Sequence, residues 1–212
     1  MTSDQDPGQT APASSTTSLL DQPVLVVNQK AKLIELTNQY AVYDQNGNQV
    51  AGVQEVGQST AKKALRLLSN VDQFLTHKLE IKDLNGGVLL QLTRPAKIMK
   101  STVVVSGPMG HEIGKIVQQN MLGKIRFGLE ADGTQVGSIN AENWRAWNFS
   151  ITDASGAEVA RITKTWEGLG KAIFTTADNY VVQIHRPLEG PLRSLVVAAA
   201  LTVDTALKQD DK

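Results

Sequence analysis

From Val24 onward the chain repeats one pattern: a short apolar stretch, a polar turn with glycine, and a second apolar stretch. It is plain in Val42-Tyr43-Asp44-Gln45-Asn46-Gly47-Asn48-Gln49-Val50 and again in Ile81-Lys82-Asp83-Leu84-Asn85-Gly86-Gly87-Val88-Leu89. Later copies turn at Gly107-Pro108-Met109-Gly110, at Asp132-Gly133 and at Ala154-Ser155-Gly156. Asn-Gly and Asp-Gly supply the positive φ angles that tight hairpin turns demand. Gly110, Gly133 and Gly156 lie 23 residues apart, the length of two short strands with their connections, so they predict successive hairpins of a meander. Stretches such as Lys115-Ile116-Val117-Gln118 and Thr134-Gln135-Val136-Gly137-Ser138-Ile139 alternate in part, as in a sheet with one face on a core and one toward water.

The pattern changes near the C-terminus. Residues 192–207, LRSLVVAAALTVDTAL, are helix-sized and apolar on every face. Leu195 to Val203, between Arg193 and Asp204, would rise only ~14 Å against a bilayer core of ~30 Å. A helix apolar all round must be buried, so the rest of the chain has to enclose it. It is either a core helix against an open sheet or a helix threaded through a closed meander, where Ala198-Ala199-Ala200 lets the wall approach its axis. Closure would also remove the exposed strand edges. A second helix is predicted over 60–75, with Ser59 as its cap and Ala64, Leu68, Val71 and Leu75 at helical spacing. Lys62, Lys63 and Arg66 lie on its other faces, as a solvated basic side or as a surface for anionic lipid headgroups.

Lys+Arg and Asp+Glu both number 21, so no net charge drives the chain toward nucleic acid or anionic membrane, and only local patches can. There is no cysteine, which excludes disulfides, zinc thiolates and thiol catalysis. Residues 1–22 are rich in Ser, Thr, Pro, Gln and Asp and read as a disordered tail without a signal-peptide pattern. One domain is expected over 23–208, then a polar end at 209–212. The expected location is cytoplasmic, at most peripheral on the inner face of a membrane.

No enzyme constellation emerges, and the sequence points to no cofactor or metal. His77, His111 and His185 fall in different predicted elements and read as surface or turn residues. Asp44, Asp83, Asp132 and Asp153 fall at or near turns, where side-chain capping of the turn accounts for them. Trp144 and Trp147 would point to opposite faces of one strand, so one faces outward, either at a membrane interface or beneath a loop. Arg94, Lys97 and Lys100 share one basic segment, which reads equally as a lysine-guarded edge strand.

Lys164-Thr165-Trp166-Glu167-Gly168, then Phe174-Thr175-Thr176-Ala177-Asp178-Asn179-Tyr180, then the apolar helix resemble the phospholipid scramblase family. The likeness extends to Leu25-Val26-Val27-Asn28-Gln29, Asn38-Gln39-Tyr40, Arg94-Pro95 and Gly110-His111-Glu112-Ile113-Gly114-Lys115-Ile116. It implies a tubby-like fold, shared with the LURP-one-related proteins: a mainly β, closed antiparallel barrel of about 12 strands threaded by its C-terminal helix. Many animal scramblases are cysteine-rich with a proline-rich extension, so this chain looks more like a compact prokaryotic member. The resemblance implies phospholipid interaction and nominal lipid scrambling. Basic residues of a tubby-like wall meet headgroups, a part open to Arg94, Lys97 and Lys100. The family is also associated with a calcium loop. Here the matching loop at 176–187 keeps Asp178 and Asn179 but starts on Thr176 and has Val181 where a glycine belongs, so it reads as degenerate, with Asp178-Asn179 as a β-turn. The alternative function is a soluble, non-enzymatic barrel that binds a protein partner or a small ligand.

Overall fold

The structure, a computed structural model, describes residues 19–28, 38–57, 76–95, 101–120, 125–143, 148–164 and 179–207. Twelve strands close into one antiparallel barrel. In chain order they are β1 (Val24–Asn28), β2 (Asn38–Tyr43), β3 (Gln49–Val56), β4 (His77–Lys82), β5 (Val88–Arg94) and β6 (Thr102–Ser106). There follow β7 (Glu112–Gln118), β8 (Arg126–Ala131), β9 (Thr134–Asn143), β10 (Asn148–Asp153), β11 (Glu158–Thr163) and β12 (Asn179–Ile184). Each pairs with the next, and β12 returns to β1 in a register that sets Val24 opposite Gln183 and Asn28 opposite Asn179. Closure decides between the two arrangements left open by the pattern, and it leaves no strand edge unpaired.

Connections in such a meander alternate between two ends of the barrel. The five hairpins of the sequence pattern, β2–β3, β4–β5, β6–β7, β8–β9 and β10–β11, all turn at one end, here the hairpin end. The strands flanking residues 29–37, 58–75, 96–100, 121–124, 144–147 and 165–178 meet at the other, the connection end.

Four hairpins use one backbone turn. The Asp44 N–H donates to the Asn48 carbonyl at 2.9 Å and the Gly47 N–H to the Asp44 carbonyl at 3.1 Å, and the same pair of bonds recurs at Asp83, Gly107 and Asp153. The Asp44 carboxylate accepts the N–H groups of Asn46 and Asn48, both at 2.8 Å. Asp83 and Asp153 repeat this with Asn85 and Gly87, and with Ser155 and Ala157. These aspartates therefore cap turns, as their position implied. Gly107 takes the aspartate's place in the fourth copy, because the His111 ring fills the space a Cβ would need. The fifth hairpin turns on Asp132 (φ 50°) and Gly133 (φ 73°), the two left-handed residues of a tight two-residue turn.

The C-terminal helix α1 (Gly190–Leu207) runs through the lumen from the hairpin end. Gly190 enters it at φ 56° and Pro191 sits in the first turn, where its missing N–H costs nothing. From Leu195 to Thr202 every side chain is at most 4 % exposed, so the helix is enclosed on all sides. Its neighbours include β5 to β9 and β12. Inward positions such as Val53, Ile81, Leu92, Val105, Ile116, Leu129, Ile139 and Ile162 meet it in one core. Two glycines bring the wall close. A Cβ on Gly114 would meet the Glu130 carbonyl oxygen and Leu195 Cδ1 at 3.2 Å, and one on Gly137 would meet the Thr152 carbonyl oxygen and Leu192 Cδ1 at 3.2 Å.

Outward positions carry Lys78, Glu80, Lys82, Lys115, Arg126 and Arg161. This apolar-in, polar-out alternation is the reverse of the band a bilayer-spanning barrel turns to lipid. β1 and β12 depart from it. Their runs VLVV and NYVV are buried on both faces, and Val24, Val26 and Val181 form a second apolar cluster with Tyr43.

The packed chain begins before the expected domain start at Pro23. Leu19–Asp21 form a 3-10 turn, Leu19 is buried in the core, and Asp21 accepts a hydrogen bond from Arg193 Nη1 at 2.9 Å. The helix expected over 60–75 lies outside the described residues.

Ala199→Glu buries a charge with no partner and is expected to leave no folded protein in the soluble fraction. A monodisperse variant with wild-type circular dichroism would contradict the threaded lumen. Gly114→Ala pushes a methyl into fixed backbone and is expected to cost ~1–3 kcal/mol in a urea melt.

Candidate functional site

The lumen is apolar along most of its length and turns polar at the connection end. Three neighbouring strands reach that end with a charged or titratable residue on the inward phase. On β3 the series is Ala51, Val53, Glu55; on β4 it is Ile81, Leu79, His77; on β5 it is Leu90, Leu92, Arg94. His77 Nδ1 lies 2.9 Å from Glu55 Oε1, with side chains 12 % and 6 % exposed. Arg94 stands opposite His77 in the β4–β5 register and is itself 7 % exposed. Gln118 holds the corresponding level of β7. It accepts the Ser101 N–H at 3.1 Å and donates to the Asn120 carbonyl at 3.0 Å. Tyr180 of β12 is buried at the same end.

This corrects two expectations. Arg94 was grouped with Lys97 and Lys100 as a patch on the outer wall, but its side chain turns into the lumen. His77, expected at the surface or in a turn, instead lies half-buried against Glu55. A carboxylate and an imidazole so largely covered are costly to separate. Glu55 was missed altogether, although the phase Ala51–Val53–Glu55 carries the signal.

On the outer wall Arg161 ties three strands together. Its Nε and Nη2 donate to Glu158 at 2.8 and 2.6 Å, and its Nη1 to Glu142 and to Asn148, both at 2.7 Å. His185 Nε2 lies 3.2 Å from Glu158, and Arg186 donates to Asp153 at 2.6 Å. Hydrogen bonds donated to Glu142 and Glu158 hold the Arg161 guanidinium protonated far above its ordinary range. The Arg161 hydrogen bond, above all, holds Glu158 below the usual carboxylate range. The Ser155 side chain does most to hold Asp153 below its ordinary value. For Asp44, partial burial pushes upward, but the Asn48 and Asn46 donors outweigh it and the net shift is down. These groups are fixed anions at neutral pH and do not act as proton donors.

Lys62, Lys63, Arg66, Lys97, Lys100, Asp178, Trp144, Trp147 and Trp166 lie outside the described residues. Asn179, expected in a turn with Asp178, is instead the first residue of β12 and pairs with Asn28. The stretch counted as the middle of a calcium loop is barrel strand, and Tyr180 and Val182 point into the core. Among the described residues no group of three or more His, Cys, Asp or Glu could hold a metal ion.

The model of one protein family, Scramblase, matches residues 1–207. The chain belongs to the Scramblase family. A relative in Saccharomyces cerevisiae, altered inheritance rate of mitochondria protein 25, is 26 % identical over 199 residues, covering 79 % of this chain and 60 % of that protein. A phospholipid scramblase family protein of Schizosaccharomyces pombe is 25 % identical over 190 residues, covering 80 % and 48 %. The chain thus spans about half to three-fifths of the length of the curated relatives it matches. A solved structure from Arabidopsis thaliana is similar at TM-score 0.47 and 13 % identity, over 90 % of this chain and 92 % of that one. The Scramblase family is not classically an enzyme family.

Asp44, Asp153 and Glu158 release their protons more readily folded than unfolded. Their stabilisation is therefore complete above the unfolded values and is lost as pH falls through the lower folded ones. The midpoint of thermal unfolding should hold steady from neutrality to about pH 5 and fall below about pH 4. Glu158→Gln should blunt that fall. Calorimetric titration with calcium should give no heat from the 176–187 stretch at sub-millimolar concentrations, since β12 cannot wrap a cation.

Proposed function

We propose that this protein is a peripheral, non-enzymatic partner of phospholipid that binds anionic headgroups without carrying them across the bilayer. The observation that carries this reading is the Scramblase family match over residues 1–207. The limit on scrambling comes from physics. Moving a headgroup across needs a polar path through ~30 Å of hydrocarbon. The apolar helix α1 is already used as the core of its own barrel. No described helix is long and apolar enough to cross a membrane, and the barrel wall turns charge outward. In this reading the protein works from the cytoplasmic face of the membrane. Lys62, Lys63 and Arg66, with Lys97 and Lys100, supply the basic contacts, and Arg94 is left out because it faces the lumen.

Each basic residue near an anionic surface contributes about 1 kcal/mol, so a few give weak, salt-sensitive association. The Debye length is ~8 Å at physiological ionic strength. Flotation with anionic vesicles is expected at low salt, with loss near physiological salt and on charge reversal of Lys62, Lys63 and Arg66 or of Lys97 and Lys100. A folded sample that floats at no salt concentration would leave the reading of a soluble, LURP-one-related type of interaction barrel.

A further inference from the structure

The hairpin end carries an apolar pair that the fold does not use. Leu84 and Met109, 59 % and 92 % exposed, are the exposed large hydrophobic side chains among the described residues. A lone apolar side chain on a surface needs no explanation, but these two sit on neighbouring hairpins. Leu84 tips the β4–β5 turn and Met109 the β6–β7 turn. The β5–β6 ladder stops where Gln91 faces Ser106, so both tips project beyond it. Gln91 Nε2 links the two hairpins by donating to the Pro108 carbonyl at 3.4 Å. Neither apolar side chain holds its turn. Backbone bonds and the Asp83 carboxylate hold the first, and backbone bonds with the His111 ring against Gly107 hold the second.

Carboxylates flank the pair on both sides. Round the barrel the tips follow in the order Asp44, then Asp83 with Leu84, then Met109, then Asp132. Glu189 stands at the entry to α1. All five tips and this entry lie within the described residues. Asp44 and Asp83 accept hydrogen bonds from uncharged donors of their own turns, and neither they nor Asp132 and Glu189 have a cationic partner. The cations toward this end are already matched. Lys82 pairs with Glu80 at 3.0 Å, Lys115 with Glu112 at 3.2 Å, Arg186 with Asp153 at 2.6 Å and Arg193 with Asp21 at 2.9 Å. The end therefore presents an apolar centre between negative flanks.

We infer that the hairpin end docks a basic amphipathic helix of a partner protein. The helix lays its apolar stripe across Leu84 and Met109 and sets lysines or arginines against Asp44, Asp83 and Asp132. The unbranched, flexible Met109 side chain adapts to whatever apolar shape it meets. The flanking charge selects this occupant. A second copy of the chain would bring like carboxylates together. An anionic bilayer would meet the same repulsion, and burying the pair in a neutral one would pull Asp83 away from water. A segment with cations beside its apolar stripe satisfies both the centre and the flanks. With two anchors the contact belongs among transient interfaces, below about 1,200 Å² in total area. It does not rest on the membrane-binding reading above.

The probe is a fluorescein-labelled helical peptide of about 18 residues, leucine on one face and lysine on the other. Its controls are the same composition in scrambled order and a version with serine for every leucine. At low salt the amphipathic peptide should gain anisotropy on the wild-type protein, and added salt should weaken the binding. Combined Leu84→Ser and Met109→Ser should weaken it at least about tenfold. Combined Asp44→Asn, Asp83→Asn and Asp132→Asn, which leave the turns a residue that suits them, should weaken it to a similar extent. Both variants are checked for folding by circular dichroism. The chain has no cysteine, so Met109→Cys carries a unique environment-sensitive label. That label should shift to the blue with the peptide and stay unchanged with phosphatidylcholine–phosphatidylserine vesicles. No binding by the wild type, undiminished binding by either folded variant, or equal binding of a control peptide would overturn the proposal. A blue shift with vesicles would assign the apolar pair to lipid instead, and a dimer lost in the Leu84→Ser, Met109→Ser variant would assign it to a second copy.

Discussion

The structure depends on one constraint: a helix with no polar face has to be enclosed from every direction. A flat sheet covers one side of a helix, and a bilayer is too thick for this one. A closed wall is the remaining solution, and the other features serve it. Ala198, Ala199 and Ala200 thin the helix, while Gly114 and Gly137 thin the wall where Leu195 and Leu192 press outward. The pairing of β1 with β12 completes the ring. The helix stabilises the ring by filling it, and the ring shields the helix from water, so neither is stable without the other.

The enclosed core ends in a polar mouth. Glu55, His77 and Arg94 continue the inward phase of β3, β4 and β5 beyond the last apolar layer. A hydrocarbon layer would be cheaper there, since covering charged and polar groups often returns less than hydrophobic replacements of the same volume. The end opposite is closed by short, self-capped turns. The two ends of the barrel therefore have different chemistry: one is built for tight, cheap reversal of the chain, the other gathers charge.

Much of this was legible in the sequence because its signals are local. The Asp-x-x-Gly spacing at Asp44, Asp83 and Asp153 declares a turn within five residues, and the all-apolar 195–201 run declares burial wherever it sits. What stayed hidden depends on register between distant strands. Glu55 and His77 are 22 residues apart and meet because of the β3–β4 pairing. Arg94 looked exposed because its neighbours Lys97 and Lys100 are basic, but the phase set by Leu90 and Leu92 turns it inward. Asn179 looked like a turn residue because of the dipeptide it belongs to, and partner strand β1 draws it into the sheet. The basic candidates at 62–66, 97 and 100 stand as the sequence left them.

Closure by β1 and β12 has a consequence for synthesis. Strand β1 can pair with β2 soon after it is made, but its other edge waits for β12, which begins only at Asn179. The core-filling helix emerges later still. A nascent chain on the ribosome is thus an open, curling sheet with an unpaired edge on Val24–Asn28 and an empty hollow. Long-range pairing of this kind folds slowly and exposes apolar surface meanwhile. The barrel is therefore expected to close only once β12 and α1 have left the ribosome, and to depend on holdase chaperones until then.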